Sequence, residues 1–190
     1  LFPQTAVAHR LRWAGLEPND YLFEVISSFE QFHFSKPNPA YLAEVLGMMG
    51  FPDGPVLMVG DDSVRDVQAA EELGIPMYWI ADDDAKLPAE RTPVAGQGKI
   101  GELRSWIEAQ DETMLLPRYQ AQTAVVATIK SIPAILSNLL ADIPDALWTY
   151  RSDPEQWCLN EILGHFRDVE REVNLPRIQT FLTKENPFIT

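Results

Sequence analysis

Apolar and polar residues follow two different rhythms along this chain, one up to about residue 110 and another from 114 onward. In the first part, short apolar runs alternate with helical stripes. Residues 3 to 14 carry Ala6, Val7, Leu11 and Ala14 at helical spacing, with Pro3 at the start and Gly15 after the end, which predicts a helix. Leu22 to Ile26 is apolar and partly β-branched and predicts a strand. Ser27 to Ser35 reads as a loop that holds Phe29, Phe32, Phe34 and His33, and this histidine is expected to have a surface or structural role rather than to touch a substrate. Tyr41, Leu42, Val45, Leu46 and Met49 predict a helix over 39 to 49, ending near Gly50. Val56 to Val59 is a continuous apolar run, expected as a strand buried on both faces.

Gly60 lets the chain turn after that strand. Ser63 is the expected cap of a helix that carries Val67, Ala69 and Ala70 to Leu73 and stops at Gly74. Ile75 to Ile80 predicts the next strand. Asp82-Asp83-Asp84 then reads as a solvated turn, and 88 to 98, with Pro88, Pro93, Gly96 and Gly98, as loop. Ile100 to Ala109 is expected to be a short helix with Leu103, Trp106 and Ile107 inward. Strands alternating with helices imply right-handed βαβ units and a parallel sheet.

No strand pattern follows Met114. Val125, Ile129, Ile132, Leu136 and Leu139 repeat at spacings of four and three, the seam of a helical bundle, and Pro133 inside it predicts a kink. A loop through Pro144 and Pro154 leads to a second helix, for which Asn160 is the expected cap. Its apolar stripe is Ile162, Leu163, Phe166, Val169 and Val173. The change of rhythm sets a domain boundary between about 108 and 117, with 1–110 as an α/β part and 114–190 as an all-α partial bundle.

Composition narrows the partners. The net charge is −13 and the pI about 4.5. That disfavours nucleic acid and anionic membranes. Cys158 is the only cysteine, so no intrachain disulfide forms, and a reducing, cytoplasmic location is expected. No apolar run approaches the roughly 20 residues that span a bilayer, and no signal-peptide layout opens the chain. The chain opens on Leu1 and closes on Asn186 to Thr190, and both ends are expected to be cut from a longer protein.

The candidate chemistry sits where the first rhythm turns. Asp61, Asp62 and Asp66 crowd three carboxylates after a strand, at the end of the sheet where α/β folds bind ligands. They repel one another unless a cation or proton intervenes, and oxygen-only ligation suits magnesium. A solvated helix N-terminus, where acids are favourable anyway, accounts for the same residues. Upstream stands Lys36-Pro37-Asn38-Pro39. The order strand, Lys-Pro, helix, strand, Gly-Asp-Asp-x-x-x-Asp resembles the C-terminal half of a haloacid-dehalogenase-like (HAD) hydrolase over roughly residues 1 to 110, closest to its phosphatase-like branch. The resemblance implies a partial Rossmann-like parallel sheet. It implies Lys36 as a catalytic residue offsetting charge at the phosphoryl group, and Asp61 and Asp66, with Asp62, as magnesium ligands.

Trp157-Cys-Leu-Asn-Glu-Ile-Leu-Gly-His165 is similar to the Trp-x-x-x-Glu-x-x-x-His pattern of DinB/YfiT-like four-helix metal-binding bundles. This resemblance covers roughly 114 to 190, about the first half of such a domain. It implies His165 as a ligand for a divalent transition metal. That family draws two more histidines from a later helix, and this chain has none after 165. A half-buried bundle histidine is the other reading.

The HAD-like resemblance also implies an aspartate nucleophile in an Asp-x-Asp motif, and none precedes Lys36 here. The expected function is therefore part of a magnesium-dependent hydrolase of small phosphorylated compounds, inactive alone. Self-association through the incomplete bundle is expected. The other reading is a non-catalytic fusion, with the HAD-like part a scaffold and the bundle binding a metal or a partner.

Overall fold

The computed structural model describes residues 1–82, 84–87 and 94–185. Contacts divide the chain into two units, Leu1–Leu139 and Leu140–Thr190. The division lies some distance from the expected boundary at 108 to 117. The reason is local. The Val56 N–H donates to the Leu115 carbonyl and the Arg118 N–H to the Gly74 carbonyl, both at 2.8 Å. Part of the segment expected to hold the boundary is thus bonded into the first unit, and Leu115 is buried.

The first unit is built on three parallel strands in the order β1, β2, β3: Met58–Gly60, Met77–Ile80 and Gly96–Gly98. β2 is central and buried, and β1 is an edge strand, only half-buried. A run that reads as buried on both faces thus ends at the sheet edge, and its regular part starts two residues late. β3 was expected as loop. Gly96-Gln97-Gly98 has poor strand propensity, and its ladder with β2 makes the strand instead. Gly96 also leaves room for Trp106, against which a Cβ would collide, and the Trp106 ring meets Tyr78 at 5.0 Å between centroids with the planes tilted by 54°. Leu22 to Ile26 forms no strand, and Leu22 is fully exposed. A strand needs a neighbour to satisfy its backbone, and no described strand pairs with it.

Helices α1 (Gln4–Trp13) and α2 (Pro39–Met48) lie within one residue of the expected spans, α3 (Val67–Leu73) starts four residues after the expected cap Ser63, and on α4 (Leu103–Glu108) Ile107, expected inward, is exposed while Leu103 and Trp106 are half-buried. The core joins Leu42, Ala43 and Leu46 of α2, Ala69, Ala70 and Leu73 of α3, and Met77 and Trp79 of β2. Of the acidic run 82 to 84, Asp82 and Asp84 are exposed. Asp83, the stretch 88 to 93 and the terminus 186 to 190 lie outside the described residues.

Helix α5, Gln122–Leu140, inverts its expected facing. Ala124, Ala127, Ser131, Ala134 and Ile135 are buried, while Val125, Ile129, Ile132 and Leu139 are 45 to 61% exposed. Small side chains let α5 approach closely. Ala124 and Ala127 join the core, and Ile135 sits so near Gly47 that a Cβ there would collide with it. The larger apolar residues of the seam have the stronger helical period, yet it is the stripe of small residues together with Ile135 that faces inward. Pro133 is accommodated within an unbroken helix. By length and composition α5 could cross a membrane, with 19 residues and a mean hydropathy of 1.5. The count of unbroken apolar residues missed it, because Lys130 and several hydroxyl residues interrupt the run. Its small-residue face packs as a core helix does.

The second unit holds a short turn at Asp145–Leu147 and a helical stretch. α6 (Leu159–Val169) passes through a π turn at Glu170–Asn174 into α7 (Leu175–Thr183). The π turn lies just before Pro176, which lacks the N–H a regular turn would use. Cys158, not Asn160, stands at the N-cap of α6: its N–H donates to Glu161 Oε2 at 2.9 Å and its carbonyl accepts the Glu161 N–H at 3.1 Å. α6 and α7 bury no side chain fully. Phe166, Ile178, Phe181 and Leu182 are more than half exposed, so a multi-helix bundle core is not confirmed.

Limited proteolysis should cut within 140 to 157 before it cuts within 108 to 118, because the latter is hydrogen-bonded into the sheet unit. First cuts at 108 to 118 would restore the earlier boundary. Gly50 and Gly74 share a φ of +78°, but a Cβ at Gly74 meets the Arg118 carbonyl while one at Gly50 meets nothing within 4 Å. Gly50→Ala should therefore cost about 1 kcal/mol in denaturant unfolding, and Gly74→Ala about 2 kcal/mol more. Equal losses would show that the Arg118 strap does not constrain this turn.

Candidate functional site

Lys36 and the acid cluster meet at the carboxyl end of β1. The Lys36 ammonium lies 2.5 Å from Asp66 Oδ1. Asp66 is 3% exposed. The contact is an ion pair without the alignment of a hydrogen bond, and Oδ1 has no other partner. Asp66 Oδ2 accepts the Asp62 N–H at 3.1 Å. Gly60 is required at this spot, since any Cβ would collide with the Asp66 carboxylate. The tip of β1 is held from β2 as well, where Trp79 Nε1 donates to the Asp61 carbonyl at 3.0 Å.

Asp62 does what was expected of Ser63. Its Oδ1 accepts the Val64 and Arg65 N–H groups at 2.9 and 2.7 Å, and its Oδ2 accepts from Arg65 Nε at 2.9 Å. An aspartate before a turn competes well with serine for free N–H groups. These bonds hold the Asp62 carboxyl below the usual carboxylate range, chiefly the Arg65 N–H and then the Val64 N–H.

The three aspartates thus serve three purposes. Asp66 answers Lys36, Asp62 caps the turn, and Asp61 is exposed with no hydrogen bond or ion pair from its carboxylate among the described residues. No group of three His, Cys, Asp or Glu residues converges to hold a metal ion among the described residues. A magnesium ion takes about six oxygen ligands, and this chain's aspartates fit one of those positions, through Asp61.

The lysine stands at the edge of a cleft of about 570 Å³ lined by Arg10, Lys36 and Arg65, with Ser27, Ser35 and Tyr41. Arg10 lies over the Phe2 ring at 4.5 Å, and no carboxylate lines the cleft among the described residues. The loop from Ser27 to Ser35 forms one wall. It is tied to α1 by the Phe29 N–H on the Phe2 carbonyl and by Glu30, which accepts the Gln4 N–H, both at 2.8 Å. A smaller hollow of about 270 Å³, lined by Met77, Met114 and Leu116, includes neither Lys36 nor the three aspartates and is largely apolar.

Sequence reasoning missed Glu44. It is wholly buried and accepts hydrogen bonds from the loop that carries Lys36. The signal was present, because Ala40, Glu44 and Gly47 are spaced by four and three on the inward face of α2. An acid at such a position needs donors. His33 is one of them, which gives it the structural role expected.

In the second unit His165 is exposed and its ring meets Trp157 edge-on at 4.9 Å. The acids at helical spacing around it are engaged elsewhere: Glu161 with Arg151 at 2.5 Å, Asp168 with Arg167 and Glu172 with Arg171. The expected transition-metal ligand therefore has no companion ligands among the described residues.

Comparison with known proteins bears on the first unit. Residues 8–80, less than half of the 190, match the family model for haloacid dehalogenase-like hydrolase. The match supports a HAD-like hydrolase domain there. It spans the later part of α1, the Lys36 loop, α2, β1, the acid cluster, α3 and β2. No curated protein and no solved structure matches the chain. The small parallel sheet with its helices fits that α/β class.

Acid should report on Asp62 directly. A carboxyl held below its unfolded-state value stabilises the turn fully above that value and loses the effect as pH falls through the depressed one. The Val64 and Arg65 amide resonances should shift with a single midpoint below that of an ordinary aspartate, and Asp62→Asn should abolish that step. An ordinary midpoint, or a step that persists in Asp62→Asn, would remove Asp62 as the cap.

Proposed function

We propose that the first unit is the phosphate-binding side of a HAD-type hydrolase acting on small phosphorylated compounds, and that this chain alone binds such anions without turning them over. One observation carries the reading. Lys36, paired with buried Asp66, edges a cleft whose charged lining is entirely cationic among the described residues. The Lys36 ammonium and the Arg10 and Arg65 guanidinium groups suit a phosphate dianion, and the Ser27 and Ser35 hydroxyls can donate to its oxygens.

Phosphoryl transfer needs an attacking atom as well as countercharge. No carboxylate faces the cleft among the described residues, so nothing in it can form an acyl phosphate with the substrate. Magnesium belongs to the reading as a proposal only. It would neutralise charge on the phosphoryl oxygens when bound, and Asp61 is the residue placed to touch it. The other two aspartates are occupied by Lys36 and by the turn amides.

For the second unit we infer the opening helix of a DinB-like domain without a working metal site. The support is the helical spacing of Trp157, Glu161 and His165 with the ring contact between the first and last.

Inorganic phosphate titrated into isotope-labelled chain should move the amides of Ser35, Lys36 and Arg65, and Lys36→Met should weaken binding at least tenfold, about 1.4 kcal/mol. An aryl phosphate with magnesium should give no turnover above a blank. Turnover that disappears in Asp61→Asn would show a working catalytic site and overturn the binding-only reading. Magnesium alone should shift Gly60 to Asp66 before Asp82 and Asp84, and weakly. The reverse order would mean that the wrong acids were chosen.

A further inference from the structure

We propose that Glu44 is the positioning residue of the Lys36 loop, and that Asn138 makes helix α5 a working part of the same clamp. Glu44 lies in the second turn of α2 and is 0% exposed. Its carboxylate accepts the His33 N–H at 3.2 and 3.1 Å, the Phe34 N–H at 3.2 Å and His33 Nδ1 at 2.9 Å. From a residue 94 positions away, Asn138 Nδ2 adds a bond at 3.2 Å. No lysine or arginine pairs with Glu44, and His33 is its one ion-pair partner among the described residues. A buried acid left without such donors is strongly disfavoured.

The arrangement has a direction. Two successive backbone N–H groups on one carboxylate fix the path of the chain at 33 and 34. The Asn38 N–H then closes on the Ser35 carbonyl at 3.1 Å, and the Asn38 side chain caps α2 through the Ala40 N–H at 3.0 Å. Lys36 stands inside that turn, between the clamp at its base and the cap at its exit. The helix that Asn38 starts is the one that carries Glu44, so the loop is closed on itself. Lys36 keeps a long flexible side chain. What the clamp supplies is the starting point from which its ammonium reaches Asp66. The partner on α5 extends this control to the end of a helix that shares no sequence neighbourhood with the site. Loosening the end of α5 would thus loosen Lys36.

The inference takes from the proposed function only that Lys36 carries the charge of the site. Its readout is the Lys36–Asp66 pair itself, so failure of phosphate binding would sink that function and leave this proposal standing. The Lys36 side-chain Cε and Nζ resonances are followed in the full chain, with Asp66→Asn as the reference for an unpaired lysine. In Glu44→Ala these resonances should move most of the way to that reference. Glu44→Gln keeps one acceptor oxygen and should restore them in part. Asn138→Ala should move them in the same direction by a smaller amount. Leu46→Ala, a core change on the same helix, should lower the melting temperature and leave the Lys36 signals in place. If Glu44→Ala does not fold, Glu44→Gln and Asn138→Ala carry the test. Lys36 signals unchanged in both, or shifted as far by Leu46→Ala, would reduce Glu44 to ordinary scaffold and overturn the proposal.

Discussion

A carboxylate at the end of β1 is almost wholly removed from water, and one lysine answers it. Asp66 can be buried because Lys36 lies against Oδ1 and the Asp62 N–H serves Oδ2. Breaking such a pair from one side leaves a buried charge uncompensated, at a cost of a few kcal/mol. Much of the first unit is arranged around that pair. Gly60 has no side chain because the Asp66 carboxylate occupies the space. The Lys36 loop is clamped from below by Glu44, and the turn from 62 to 66 is capped by its own first residue. The pair also divides the labour of three adjacent acids, which from composition alone look interchangeable.

The two units differ in what holds them. The first has a core into which α2, α3, β2 and α5 each send residues. The second has helices whose larger apolar side chains stay exposed, and Cys158 is its one buried hydrophobic residue among those described. Burial of apolar surface is the main favourable term in folding, so local bonds do more of the work in the second unit. They include the Cys158–Glu161 box and the Arg151–Glu161 pair. The same accounting explains α5. Its position is set by a stripe of small residues that admits it to the core, and the cost is an outward row of valine and isoleucine.

Local signals were readable wherever neighbouring residues decide the outcome. The extents of α1 and α2, the stop at Gly74 and the βα alternation depend on side chains a few positions apart. So does the Lys36 and Asp61-to-Asp66 pattern, whose order along the chain needs no partner to be recognised. Errors appeared where a remote element decides. Leu22 to Ile26 has strand composition but no strand beside it, and Gly96 to Gly98 lacks strand composition but pairs with β2. Ser63 lost the cap to Asp62 by one position, since both side chains reach the same N–H groups and only geometry selects.

By itself the amino-acid order determined which residues carry charge at the strand end, where α1 and α2 begin and stop, and that the first part alternates strands and helices in an α/β pattern that fits a HAD-like hydrolase domain. Those are matters of propensity, capping and period, which act within a turn or two of helix. Tertiary structure alone decided which face of α5 turns inward and that the first unit extends to Leu139. It also decided that Asp66 meets Lys36 and Asp62 meets the turn amides, while Asp61 stays exposed. Each of these depends on how closely two distant segments can approach and on which donor arrives first at a buried oxygen. Glu44 shows the difference most plainly. Its place on an inward face could be read from spacing, but the donors that make that place tolerable come from residues 33, 34 and 138, and only the folded chain brings them together.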